Sequence, residues 1–179
     1  AQYRLPERHH EVKLITASDI PGHDGCHFNL NGYNIIGDRI FKIIANDFYH
    51  ATDSIDITAP RLKHAQIISG NRKYLFLDFD QNVSWTNKYG NYNLKDYFFF
   101  SDTSIHVDTA YSENKRIWLK LSKILSENDS ITYLPNQYYP GTYMPYSGPF
   151  ILNSRSYPAA SFYKQHIDTS SDTIPVLSI

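Results

Sequence analysis

Cysteine is almost missing from this chain: Cys26 stands alone among 179 residues, so no intrachain disulfide framework exists and an apolar core must hold the fold. That suits the cytoplasm and a disulfide-free secreted protein equally. An excess of either charge is also missing. Seventeen basic and eighteen acidic side chains leave a formal net charge of -1, which supplies no electrostatic reason to expect nucleic acid or an anionic membrane as partner. No apolar run approaches the roughly 20 residues that span a bilayer. The sequence opens at Ala1 with no charged-then-apolar leader, which is compatible with removal of a leader, or of a longer segment, upstream.

What is present is apolar and aromatic. An apolar fraction of 41%, with 15% aromatics, fills a core and argues against disorder. Fifteen tyrosines and ten phenylalanines favour β structure, because aromatic rings suit a half-buried pleated surface.

Residues 1–10 are polar, end on His9-His10 and fit the close of a helix begun upstream. Residues 11–17 (EVKLITA), with Val12, Leu14 and Ile15 apolar, predict a short strand that Ser18-Asp19 ends. From Gly32 to about Tyr49 the residues Tyr33, Ile36, Ile40, Ile43, Ile44 and Phe48 recur at three- and four-residue steps, the spacing of one helical face, with Asn31 placed to cap it. One strand and one helix cannot bury both their faces, so residues 1–52 read as part of an α/β domain that needs more sheet.

Residues 53–60 (DSIDITAP) shift in composition and read as a linker. Short runs bounded by turn residues follow, at 61–69, 73–80, 96–101, 105–109, 116–122, 130–134 and 162–167. Ile117, Leu119 and Leu121 alternate with Arg116, Trp118 and Lys120, as in a strand with one buried face. About seven short strands over residues 53–179 predict an antiparallel β-sandwich of immunoglobulin-like size, without the cysteine pair of antibody domains. The fold class expected is therefore mixed, an α/β segment followed by a β-sandwich.

Between the first strand and the helix lies Pro21-Gly-His-Asp-Gly-Cys-His-Phe-Asn-Leu-Asn-Gly-Tyr33. Its Asp24 and His27 are three residues apart. In such a turn the carboxylate can reach back to the imidazole, fix its tautomer and stabilise the imidazolium formed when the ring takes a proton. General-base help of this kind is typically worth about 10²- to 10⁴-fold. The plainer alternative is a capping acid and a surface histidine.

Other groupings point less sharply. Cys26 beside His27 suggests a thiol nucleophile, yet adjacent side chains on an extended turn diverge. His23, Asp24 and His27, with His9 and His10 as further donors, suggest a metal, but their spacing matches no familiar site. Asp78 and Asp80 superficially resemble the Asp-x-Asp of haloacid-dehalogenase-like phosphatases, without the motifs that should follow. A strand placing both acids on one face, beside a cation or Lys73, is the better expectation. The loop at 136–150, with Tyr138, Tyr139, Tyr143 and Tyr146, is either a packed or interdomain surface or a sugar-stacking platform, and the former is favoured.

The run DGCHFNLNGYNIIGDRIF, residues 24–41, resembles the last conserved block of the SGNH/GDSL hydrolases, in particular carbohydrate acetylesterases and sialate O-acetylesterase-like proteins. Asp24, Gly25, His27, Phe28, Gly32, Tyr33, Gly37, Arg39 and Phe41 carry the match. APRLKHAQI, FLDFDQNVSWT, LKDYFFF, ITYLPNQYY and GPFILNSRSYPAASFYKQHI are similar, more loosely, to the β-sandwich that trails the hydrolase domain in several of these esterases. The resemblance implies Asp24 and His27 as catalytic acid and base, an O-acetylated carbohydrate substrate, no cofactor or metal, and a secreted or periplasmic location. It also implies a Gly-Asp-Ser block and oxyanion donors upstream of residue 1, or on a second chain. None of the serines here sits in such a context, so the chain by itself is expected to be inert. The rival expectation is a non-catalytic β-sandwich that binds carbohydrate or braces a partner domain.

Overall fold

The computed structural model describes residues 2–24, 26–126, 128–134 and 148–172. Over these the fold is mixed, mostly sheet with few helices. A short 3-10 turn and the one-turn helix α1 (Leu5–Arg8) come first. An irregular segment leads to the long helix α2 (Leu30–Tyr49), and β1 (Leu62–Ile68) begins the sheet region. Then follow β2 (Tyr74–Phe79), the small hairpin β3 (Lys88–Tyr89) and β4 (Tyr92–Asn93), β5 (Phe98–Phe100), β6 (Val107–Glu113), β7 (Arg116–Leu121), β8 (Ser130–Tyr133), β9 (Phe162–His166) and β10 (Asp168–Ser170).

The larger sheet runs β10-β1-β2-β7-β6 and the smaller β5-β8-β9. Both contribute to one continuous buried cluster, with Leu75, Leu77, Ile117, Leu119 and Leu121 from the first and Phe98, Ile131, Tyr133 and Phe162 from the second. The alternation in β7 holds for its inner face, where Ile117, Leu119 and Leu121 are wholly buried. Trp118 departs from the expected exposure. On the opposite face it joins Ile68 and Phe76 in a second cluster, with the Arg116 guanidinium 3.8 Å from the Phe76 ring centroid. On that outer face Phe76 of β2 and Trp118 of β7 cover one another, their ring centroids 5.1 Å apart.

The strands differ from expectation at two further places. Residues 11–17 form no strand: Val12 is exposed, Leu14 and Ile15 are half-buried, and among the described residues no neighbouring strand satisfies the backbone. The segment is held instead by isolated bonds, Ala59 N to Leu14 O at 3.2 Å and Thr16 Oγ1 to Pro158 O at 2.8 Å. The strand expected at 162–167 is β9, and β10 follows it as a strand the sequence does not show. β9 pairs with β8, whereas β10 crosses to the larger sheet and lies parallel to β1, Gln66 opposite Asp168, which makes that sheet mixed.

The 53–60 segment carries neither strand nor helix, but it is firmly docked. The Asn153 amide, 5% exposed, donates to Asp56 O, Thr58 O and Gln81 Oε1 at 2.9–3.1 Å and accepts from Arg155 N and Tyr157 N. Arg155 pairs with Asp53, and Ser154 Oγ donates to Asp56 Oδ2. Tyr3 extends the attachment by donating its hydroxyl to Leu62 O at 2.8 Å, and burial pushes that phenol's pKa well up.

Candidate active site

The Asp-x-x-His turn is built by the chain on either side of it. Asn29 N donates to Gly22 O at 2.8 Å, and His23 and Phe28 form an antiparallel bridge, so the turn closes as a small loop just ahead of α2. Gly22 has φ +79°, and a Cβ there would collide with the Asn29 amide. Asn29, not Asn31, is the cap: its backbone is extended and its Oδ1 accepts from Gly32 N at 2.9 Å. Asn31 lies within the first turn of the helix. Gly32 lets Phe28 lie against that turn, since a Cβ would come within 2.8 Å of Phe28 Cβ.

Asp24 uses both carboxylate oxygens. Oδ1 accepts from His27 N at 2.7 Å and Cys26 N at 2.9 Å, while Oδ2 lies 3.3 Å from His27 Nδ1. Asp24 N closes the turn by donating to His27 O at 3.0 Å. The backbone N–H of His27, then that of Cys26, then the His27 ring stabilise the anion and hold the Asp24 pKa down to about 2. The carboxylate is therefore ionised at neutral pH, and it favours the His27 tautomer that carries its proton on Nδ1. Such a tautomer leaves Nε2 with a free lone pair. The His27 side chain is 75% exposed, and among the described residues no hydroxyl bonds to it. The arrangement can orient a base and stabilise its protonated form, but it provides no nucleophile.

Behind the turn, α2 is fixed by Arg39. This side chain, 5% exposed, grips Asp19 through both Nη atoms, donates to Thr16 O and lies 4.6 Å over the Tyr157 ring. The helix's apolar stripe, by contrast, is largely uncovered. Ile43 is buried, but Tyr33, Ile40, Phe41, Ile44 and Phe48 are exposed, Phe41 at 64% and Phe48 at 74%. The stripe begins beside the Asp24–His27 turn, because Tyr33 meets Phe28 edge-on at 6.0 Å.

The other candidate residues are not brought into this site. Cys26 is exposed and its thiol lies on no described partner. Among the described residues no group of three or more His, Cys, Asp and Glu is arranged to hold a metal. Asp78 is paired with Arg116 and Asp80 with Arg61, not with Lys73. Tyr138, Tyr139, Tyr143 and Tyr146 lie outside the described residues. The sequence reading missed Asp19, Thr16 and Tyr157 as the partners of Arg39, because all three lie remote from it in the chain. Comparison of the chain with protein-family models, with curated proteins and with solved structures finds no match in any of the three.

Proposed function

We propose that the chain is the C-terminal part of a serine-type carbohydrate O-acetylesterase of the SGNH kind, in which Asp24 and His27 are acid and base and the strands beyond residue 53 form an immunoglobulin-like accessory sandwich. The observation that carries the reading is the Asp24–His27 pair, with one carboxylate oxygen fixed by two backbone N–H groups and the other on the ring nitrogen Nδ1. Nε2 is then the atom that takes the proton of a serine attacking the acetyl carbonyl and gives it to the departing sugar oxygen as the acetyl-serine forms; it then takes a proton from the attacking water and returns it to the serine as acetate leaves. Asp24 keeps the ring in the right tautomer and offsets the imidazolium charge.

The serine and its oxyanion donors belong to an upstream portion of the same protein or to a second chain. The uncovered apolar stripe of α2 supports this division. A run of exposed apolar side chains along one helix supports a surface that is covered in the whole protein, and it adjoins the turn that must meet the nucleophile. Secretion or periplasmic export is the location such an esterase would have.

The test joins the chain to the segment that carries a Gly-Asp-Ser block and follows acetate release from an O-acetylated sugar. His27→Ala is expected to lower the rate by about 10²- to 10⁴-fold. Hydrolysis that survives this change overturns the reading, and an upstream reading frame without such a block favours the second reading. That second reading is a non-catalytic sandwich that binds carbohydrate or braces a partner, and a recess lined by Trp85, Asn87, Asn93, Lys95 and Asp108 favours it.

A further inference from the structure

Away from the turn, a recess of about 260 Å³ is lined by Trp85, Asn87, Asn93, Lys95 and Asp108. Trp85 is the outermost ring of an aromatic column. It stacks on Phe98 (centroids 5.8 Å apart, planes 18° apart), Phe98 stacks on the fully buried Tyr133 (5.2 Å, 28°), and Tyr133 packs against Phe162 at 5.5 Å. The indole is pinned at its edge as well, Nε1 donating to Asn87 Oδ1 at 2.6 Å, while Trp85 N donates to Ser112 Oγ. A ring held this way loses little freedom when a ligand settles on it.

The polar groups around the indole are only partly used. Asn93 Nδ2 donates to Asp96 Oδ2, and Asp108 Oδ1 faces His106 Nε2 at 3.5 Å. Among the described residues Asn87 Nδ2, Asn93 Oδ1, Lys95 Nζ and Asp108 Oδ2 make no hydrogen bond. That leaves two donors and two acceptors, one cation and one anion, around one wall of a supported aromatic. We infer that the recess binds a neutral sugar ring, its C–H face against Trp85 and its hydroxyls, each both donor and acceptor, shared among these four groups. A phosphate or carboxylate ligand would need an excess of positive charge, and a purely apolar one would leave the four polar groups without partners.

The inference stands apart from the esterase reading, since the recess shares no residue with the Asp24–His27 turn. The chain has two tryptophans, and Trp118 is 2% exposed, so a ligand-dependent change in indole emission reports on Trp85. The full chain is titrated with xylohexaose, mannohexaose, maltohexaose and chitohexaose, with adenosine and inorganic phosphate as controls, by fluorescence and by calorimetry. At least one hexasaccharide is expected to bind saturably with a Kd on the order of 1 mM or tighter. Asp108→Ala and Asn93→Ala, both away from the core, are expected to weaken it about tenfold or more. Trp85→Phe keeps an aromatic ring on Phe98 and should weaken binding in the calorimetric readout. His27→Ala should leave binding unchanged, which separates this site from the esterase reading. No binding of any hexasaccharide up to about 10 mM, binding that Asp108→Ala and Asn93→Ala both leave intact, or binding of adenosine or phosphate instead overturns the inference.

Discussion

Arg39 on α2 and Asp19 ahead of the turn meet as a two-point pair, Nη1 to Oδ1 at 2.9 Å and Nη2 to Oδ2, so the two ends of the loop that carries His27 are clamped together. The guanidinium is nearly buried, whereas the carboxylate is about a quarter exposed. Removing one partner of such a pair leaves an uncompensated charge, which costs about 3–5 kcal/mol for fully buried pairs.

Asp19→Ala is therefore expected to lower stability by about 3 kcal/mol, the lower end of that range because Asp19 is partly solvated. Combining it with Arg39→Met should recover a large part of the loss, since no buried charge then remains unpaired. Urea denaturation of the two variants checks this. A double variant no more stable than Asp19→Ala alone would show that packing, not charge, holds the clamp.

The second prediction concerns acid. Asp24 titrates near 2 in the folded chain, below the ordinary value of about 3.9. A depressed carboxylate pKa stabilises the fold at pH above the unfolded value. That contribution fades as pH falls from about 4 through about 2. The carboxyl carbon of Asp24, followed by NMR, should show a midpoint near 2, and the amide signals of Cys26 and His27 should move in the same window as their acceptor is protonated. A midpoint near 3.9 would mean that the turn is not formed as described. Asp24→Asn should abolish the amide changes.

Asn153 is the third target. Its amide group bonds to the 53–60 segment, to Gln81 and to two backbone N–H groups of its own loop. Asn153→Ala leaves buried carbonyls and N–H groups without partners, and a loss of about 2–3 kcal/mol is expected. Asn153→Asp should be worse, because a carboxylate would face three oxygens. The denaturation midpoint should fall while its urea dependence stays unchanged. A negligible loss would mean that the segment is not fixed by this residue.

The sequence reveals these features unevenly, for physical reasons. β7 is legible because Ile117, Leu119 and Leu121 repeat at the period of a strand, and α2 because its apolar residues repeat at the period of a helix. Residues 11–17 have the composition of a strand but lack a neighbour to pair with, and composition carries no information about neighbours. The choice between Asn29 and Asn31 as cap turns on where the backbone passes from extended to helical, which it does after Asn29 (φ −71°, ψ 174°) and which two nearby asparagines do not distinguish. The parallel pairing of β10 with β1 joins residues about a hundred positions apart, beyond any local pattern. In the site, the three-residue step from Asp24 to His27 is readable directly. The support beneath it is not, because Asp19, Arg39 and Tyr157 come from three separate stretches.

The docked 53–60 segment has a mechanical consequence. A slack tether would let the helical end and the sheets give way one after the other under tension. Here the Arg155–Asp53 pair, the Asn153 amide and the Tyr3 hydroxyl act as rivets across the joint. Pulled between Asp53 and β9 in an optical trap, residues 53–60 should come away in the same step as the sheets rather than slip out beforehand.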